Sequence, residues 1–275
     1  MSAIAPWACY LDLDGTLVGR GGSLLHDGEG HVSLLGARAI EACLRADVEV
    51  VLMSGRRRAN VAEIARLFGQ SAFIYEAGTV LSLDGEEQWL TGEFQPGETS
   101  VFEQIAASGA PDLLLETYAG QLEYHQPWSE GREVSHLFRG LVDAREADEL
   151  LAARGHGGLR LVDNGAISRR SPALEALPHV RGYHLIPAGG SKAAAVALHM
   201  RIRGLDAERT FAVGDSREDL AVARSVGTFW LVANAFAVDP QLGEVLRESP
   251  NVRVAQDAHG AGVYEAVMTT LAERR

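Results

Sequence analysis

Short apolar runs alternate with helical-period segments along the N-terminal part of the chain. Trp7-Ala-Cys-Tyr-Leu-Asp-Leu13 is an apolar run interrupted by acid near its end, as expected of a strand buried on both faces of a parallel sheet. Leu35, Ala39, Ile40, Cys43 and Leu44 then fall at helical spacing. Val48-Glu-Val-Val-Leu-Met53 predicts the next buried strand, stopped by Ser54-Gly55, and Val61, Ile64, Leu67 and Phe68 mark a second amphipathic helix. Ala72-Phe-Ile-Tyr75 predicts a third strand. This βαβαβ order predicts a parallel sheet with helices on both faces.

The alternation resumes at Lys192, where an Ala-rich helix to Met200 precedes a strand over Thr210-Phe-Ala-Val213 and a helix over Leu220 to Val226. Phe229-Trp-Leu-Val232 and Val252-Arg-Val-Ala255 predict two more strands, and Val263 to Leu271 a closing helix. Between the two halves the texture changes. Gly/Pro punctuation appears at Gln95-Pro-Gly97, Gly109-Ala-Pro111 and Gln126-Pro127. Leu159 to Ser168 predicts a hairpin turning at Asn164-Gly165, a pair suited to a type I′ turn. The expected fold is therefore α/β. A Rossmann-like parallel-sheet domain built from residues 1–84 and 188–275 is interrupted by an inserted α+β domain over 85–187.

Composition narrows the function classes. The 275 residues are 47% hydrophobic, enough for a full core, and no run approaches the ~18 apolar residues of a membrane span. A formal charge of −12 argues against a nucleic-acid partner, whose phosphates need basic stripes. The start of the chain has no basic n-region and leads straight into a charged motif, so it does not read as a signal peptide. Cys9 and Cys43 sit inside apolar patterns with no metal spacing and read as reduced core residues, which with the N-terminus predicts a cytoplasmic protein. Of the 25 basic residues 24 are Arg, and the single lysine is Lys192.

Ligands of open α/β sheets bind outside the carboxyl ends of the strands, so the residues after each predicted strand carry the candidate chemistry. These are Asp12 and Asp14, then Ser54, Gly55 and Arg56, then Glu76, then Gly214, Asp215, Ser216 and Asp219. Alternate residues leaving an extended segment share a face, so Asp12 and Asp14 can address one site. Carboxylates held that close repel unless a cation lies between them. With Asp215 and Asp219 they suit a hard ion such as Mg²⁺. Ser54 and the following backbone N–H groups could accept a phosphate oxygen, while Arg56-Arg57-Arg58 reads more simply as a solvated helix start. Lys192 opens a helix at the end where the dipole disfavours a cation, which makes sense if it faces an anion.

These residues resemble, in order, the four motifs of the haloacid dehalogenase-like superfamily. Asp12-Leu-Asp-Gly-Thr16 is similar to the first motif, Ser54-Gly-Arg to the second, Ser191-Lys192 to the third and Gly214-Asp-Ser-Arg-Glu-Asp219 to the fourth. The insertion lies between the second and third, where Cof-type (class IIB) members carry an α/β cap; this group includes phosphatases of sucrose phosphate, trehalose phosphate and mannosylphosphoglycerate. Tyr75-Glu-Ala-Gly78 and Val232-Ala-Asn-Ala235 resemble two further elements of that group. Ala193 and Glu218 depart from its usual Gly and Asn.

The resemblance implies that Asp12 attacks phosphorus to form an aspartyl-phosphate and that Asp14 serves as general acid and base. It implies Mg²⁺ held by Asp12, the Asp14 backbone carbonyl and Asp215, with Asp219 as ligand or close neighbour. Ser54, Gly55 and Lys192 would bind the phosphoryl oxygens. His125, Asn164, Arg169, Arg170 and His184 are candidate cap residues for substrate choice. The expected activity is a Mg²⁺-dependent phosphatase of a small phosphate ester, a sugar phosphate first, acting as a monomer or weak homodimer. The alternatives are a phosphohexomutase and a non-catalytic phosphosugar-binding protein.

Overall fold

The computed structural model describes residues 7–167, 171–246 and 249–274. The N-terminal alternation forms β1 (Trp7–Asp12), α1 (Leu35–Arg45), β2 (Val48–Met53), α2 (Arg58–Leu67) and β3 (Ala72–Tyr75), followed by the antiparallel strands β4 (Val80–Leu83) and β5 (Glu86–Trp89). The insertion holds α3 (Val101–Ala107), α4 (Ala110–Thr117), β6 (Leu122–Tyr124), β7 (His136–Gly140), α5 (Ala144–Ala153), β8 (Leu159–Ile167) and β9 (Val180–Pro187). The chain then returns through α6 (Lys192–Arg203), β10 (Thr210–Gly214), α7 (Arg217–Leu220), β11 (Thr228–Leu231), α8 (Ala235–Val238), α9 (Leu242–Leu246), β12 (Val252–Val254) and α10 (His259–Glu273).

Two sheets result. The larger runs β12-β11-β10-β1-β2-β3-β4-β5 and the smaller, antiparallel one runs β6-β7-β9-β8. In the larger sheet the strands from β12 to β3 are parallel, and all but the exposed edge strand β12 are buried on both faces. Successive residues of β1 therefore serve opposite cores. Cys9 and Leu11 pack with Ala39, Ile40 and Cys43 of α1 and Val263 and Val267 of α10, while Ala8 and Tyr10 pack with Ala195 and Val196 of α6. Both cysteines are buried and unpaired. No helix among the described residues is long and apolar enough to cross a membrane.

From β1 the chain winds outward through β2 and β3 on one side, and from β10 through β11 and β12 on the other. β1 is thus the topological switch point, where a crevice opens beyond the strand ends. The smaller sheet packs one face on its own helices through Phe138, Leu161, Tyr183 and Leu185. Its other face carries His184 and Ile186 toward the larger sheet's edge, where Ile186 and Val162 meet Ala77.

Three expectations need correction. The insertion was expected from residue 85, but Glu86–Trp89 extends the larger sheet against β4, so that boundary falls in a hairpin turn. Asn164-Gly165 does not turn a hairpin; β8 runs straight through and pairs with β9 on both sides, with a bulge between Asp163 and Ala166. Gly165, at φ 94°, absorbs the extra residue there, and its N–H donates to Asp163 Oδ1 at 2.9 Å. The local chemistry of a turn and of a bulge is the same, and the long partner strand β9 decides between them. The helix expected over Leu220 to Val226 is also shorter, because α7 passes into a 3₁₀ turn at Ala221.

Candidate active site

β1 delivers Asp12 to the switch point, and the chain turns there through Thr16 N–H and Val18 N–H on the Leu13 carbonyl. Gly15 sits at φ 85°, and any side chain at this position would collide with the Asp215 carboxylate. Asn234 fastens this loop from the far side. Its Nδ2 donates to the Gly15 carbonyl at 2.8 Å while its Oδ1 accepts from His259 N–H at 2.9 Å.

Asp12, Asp215 and Asp219 offer carboxylate oxygens that all lie within 4.8 Å of one another. Lys192, only 3% exposed, reaches into this group from the first turn of α6, where Ser191 Oγ caps the helix by accepting from Ala194 N–H. Its Nζ donates to Asp12 Oδ1 at 2.7 Å and to Asp219 Oδ1 at 2.6 Å. Asp219 Oδ2 in turn accepts from Ser216 N–H and Oγ and closes a capping box on α7. Both Asp219 oxygens are thus engaged, whereas among the described residues Asp215 receives only the Thr16 hydroxyl, at 3.3 Å.

Two buried acids and a half-buried third, with one ammonium, leave negative charge uncompensated. Burial, and then repulsion from Asp219, push the Asp12 carboxyl up to about 7 against the pull of Lys192. Burial and the charges of Asp12 and Asp219 raise Asp215 well above the usual carboxylate range. For Lys192, burial opposes the charge, but Asp12 and Asp219 outweigh it and raise its pKa. A donor set of closely spaced carboxylate oxygens with a deficit of positive charge is the chemistry a hard divalent cation fits.

Ser54 ends β2 beside this group and is buried, its Oγ accepting the Arg56 N–H at 3.1 Å. Gly55 comes close to the smaller sheet. A Cβ there would stand 2.8 Å from His184 Nε2 and 3.1 Å from Asn164 Oδ1. Above these residues opens a cavity of about 1470 Å³ between the two sheets, lined by Asp12, Ser54 and Lys192 below and by His125, Asn164 and His184 above.

Comparison with known proteins follows this geometry. No family model matches the chain. The chain is 26% identical over 268 residues to the phosphoglycolate phosphatase of Archaeoglobus fulgidus, covering 95% of this chain and 96% of that protein. Its fold matches the sucrose-phosphatase of Synechocystis sp. PCC6803, solved with sucrose and phosphate, at a TM-score of 0.63 and 15% identity over 96% of this chain and 97% of that one. A haloacid dehalogenase-like hydrolase from Bacteroides thetaiotaomicron matches at 0.61 and 16%, over 96% and 98%. These likenesses give the chain the fold of the haloacid dehalogenase-like hydrolases.

Against the haloacid dehalogenase-like motifs, Asp12, Ser54, Gly55, Lys192, Asp215 and Asp219 all converge on one edge of the cavity. Asp14 lines the cavity, but its carboxylate is 53% exposed and lies outside the acid group. Arg56 holds it in a two-bond fork, Nε to Oδ2 at 2.7 Å and Nη2 to Oδ1 at 2.6 Å. The Arg56-Arg57-Arg58 run is therefore not a plain solvated helix start: Arg56 and Arg57 face the cavity, and Arg58 pairs with Glu87. Arg169 and Arg170 lie outside the described residues.

Sequence reasoning placed Glu76 after a strand without giving it a role, and it missed Arg132. Glu76 is fully buried, and its carboxylate accepts the N–H groups of Glu133, Val134 and Ser135 together with Ser135 Oγ, tying the loop after β3 to the segment before β7. Its place in Tyr75-Glu-Ala-Gly78 was the available signal. Arg132 donates to the Gly55 carbonyl at 3.1 Å and carried no signal, standing in an irregular stretch far from any motif.

Proposed function

We propose that this protein is a Mg²⁺-dependent phosphatase of small phosphate monoesters, sugar phosphates being the first substrate class, and that it works through an aspartyl-phosphate on Asp12. The observation that carries this reading is the Lys192 bridge between Asp12 and Asp219 at the floor of a cavity roofed by the inserted sheet. The full-length phosphoglycolate phosphatase relative and the sucrose-phosphatase fold both support a small ester as substrate.

Asp12 attacks phosphorus in line, forming the Asp12 O–P bond as the bond to the leaving alcohol breaks. Asp14 gives its proton to the departing oxygen, then takes one from the water that hydrolyses the acyl phosphate. To do so it must leave the Arg56 fork, so entry of the leaving group and opening of that ion pair go together. Lys192 Nζ and the N–H groups after Ser54 face the equatorial oxygens, where charge stabilisation does most of the work. Asp12 and Asp215, whose second oxygens have no protein partner among the described residues, and the Asp14 carbonyl would hold Mg²⁺; Asp219 would orient Lys192 and the Ser216 turn. When bound, Mg²⁺ supplies charge neutralisation for the transferring phosphoryl group. The residues 101–187, with the smaller sheet, act as the cap that excludes water from the closed site.

The test is phosphate release from p-nitrophenyl phosphate and a metabolite panel. Release should require Mg²⁺, stop on chelation and return on adding Mg²⁺ back. Asp12→Asn should abolish turnover while preserving the melting transition. Retained activity in that variant would refute the nucleophile, and no release from any ester would refute the hydrolytic reading.

A further inference from the structure

Most of the cations around the cavity have carboxylate partners. Arg56 pairs with Asp14, Arg181 with Asp163, Arg217 with Asp239, and Lys192 with Asp12 and Asp219. Arg132 and Arg57 line the same cavity and pair with none among the described residues. Arg132 donates through Nε to the Trp128 carbonyl at 2.9 Å and through Nη1 to the Gly55 carbonyl and to Ser135 Oγ at 2.9 Å. Its Nη2 has no partner among the described residues. Arg57 donates through Nε to Asn60 Oδ1 and through Nη1 to the Glu130 carbonyl, and it lies against Gly131, close enough for its charge to act on Arg132.

Neutral acceptors fix the direction of the Arg132 fork but leave its charge uncompensated. The acid whose charge reaches it, Glu76, already accepts four hydrogen bonds from residues 133–135. Burial, and the neighbouring charge of Arg57, work against the cation and lower its pKa. A largely buried guanidinium with no carboxylate bonded to it is costly to keep, and the cost falls when a bound anion supplies a direct partner. The planar fork suits a carboxylate or phosphate, for which a neutral hydroxyl is a poor substitute.

The position is equally specific. Arg132 is bonded to the carbonyl of Gly55, one residue beyond Ser54, so its guanidinium lies next to the phosphoryl cradle and not at the far wall of the cavity. His184, held through Nδ1 on the same Ser135 hydroxyl, stands beside it. We propose that Arg132, flanked by Arg57, forms a subsite for a second anionic group of the substrate, so that the ester hydrolysed carries a carboxylate or a second phosphate close to the phosphoryl group. This rests on the phosphatase reading and makes it more specific: a neutral sugar phosphate leaves the subsite unfilled.

Non-hydrolysable phosphonates test the subsite without requiring turnover. The full chain is titrated calorimetrically in Mg²⁺ buffer with phosphonoacetate against methylphosphonate, and with propane-1,3-diphosphonate against propylphosphonate. The member bearing the second anion should bind at least about tenfold more tightly in one pair, the scale of one charge-assisted hydrogen-bond pair. That ratio should fall to within about threefold in Arg132→Gln, with Arg57→Gln giving a smaller loss. An advantage for phosphonoacetate assigns a carboxylate as the second anion; an advantage for the diphosphonate assigns a phosphate. Equal affinities in both pairs overturn the proposal, as does an advantage that survives in both variants. If Arg132→Gln does not fold, the unmodified protein's ratios and Arg57→Gln decide. Failure to release phosphate from p-nitrophenyl phosphate would strike the hydrolytic reading alone, since the binding ratios do not depend on it.

Discussion

Lys192 contributes its charge from a buried position between two carboxylates. Its Nζ fits between two carboxylate oxygens at 2.7 and 2.6 Å, and the side chain is 3% exposed. A guanidinium is larger, planar and obliged to place its donors in a fixed fork, whereas one ammonium can serve two diverging acceptors. Lys192→Arg should therefore lower kcat/KM for p-nitrophenyl phosphate by at least about a hundredfold, the scale of losing one preorganised donor at developing charge, although the formal charge is kept. Activity within about threefold of the unmodified protein would make the solitary lysine a coincidence of an Arg-rich chain. Residues of this kind were legible because each follows a strand in a short local motif. Arg57 and Arg132 were not, and Arg56 was legible as part of a motif but not in its role. The partner that gives Arg56 its meaning is Asp14, 42 positions away, and Arg132 touches Gly55 across 77 positions. No local pattern records such a contact.

At the scale of the element, helix α6 is placed by what lies beneath its first turn. Gly78 packs directly under Ser191 and Lys192 at φ 86°, and a Cβ there would collide with the Ser191 carbonyl carbon and the Lys192 nitrogen. Only glycine lets the loop after β3 support the helix that carries the lysine. Gly78→Ala should destabilise the protein by about 3 kcal/mol or more, combining left-handed strain with backbone displacement, and should lower kcat because α6 starts from a shifted position. Gly120 is the control. It also has a positive φ, of 77°, but nothing lies within 4 Å of its Cβ position, so Gly120→Ala should cost only about 1 kcal/mol. Urea unfolding of both variants separates the two terms, and equal costs would remove the packing argument. The elements themselves were well marked in the sequence where they are buried on both faces, since strands such as Val48–Met53 admit few other readings. They were poorly marked where one face is polar: the Asn164-Gly165 bulge carries turn residues, and only pairing with β9 shows that the strand continues.

Across the whole molecule, the two sheets are joined by buried and half-buried polar groups. Glu76 secures the segment before β7 from the side of the larger sheet. Arg160 of β8 reaches back to Glu218 and to the Gly190 carbonyl, which gives Glu218, unusual at that place in the motif, a partner in the inserted domain. Within that domain His136 is buried, stacked on Phe102 with ring centroids 3.9 Å apart, and bonded to the Phe102 carbonyl and the Tyr124 hydroxyl. Burial lowers its pKa from 6.5 to about 4, outweighing the carbonyl bond and the charge of Asp112, and burial depresses His184 as well. Between pH 4 and 6.5 the unfolded chain therefore binds more protons at these histidines than the folded one, so stability rises with pH through that window. It is fully present above pH 6.5 and is lost as pH falls toward 4. For His136 the full effect is about 3 kcal/mol. The carboxylates titrate in the same range, so the measurement is a difference. Urea midpoints at pH 7.5, 6.0 and 5.0 should fall more steeply for the unmodified protein than for His136→Gln, whatever the variant's absolute stability. Parallel pH profiles would mean that His136 binds its proton as readily when folded as when unfolded, and that its burial against Phe102 does not control its charge.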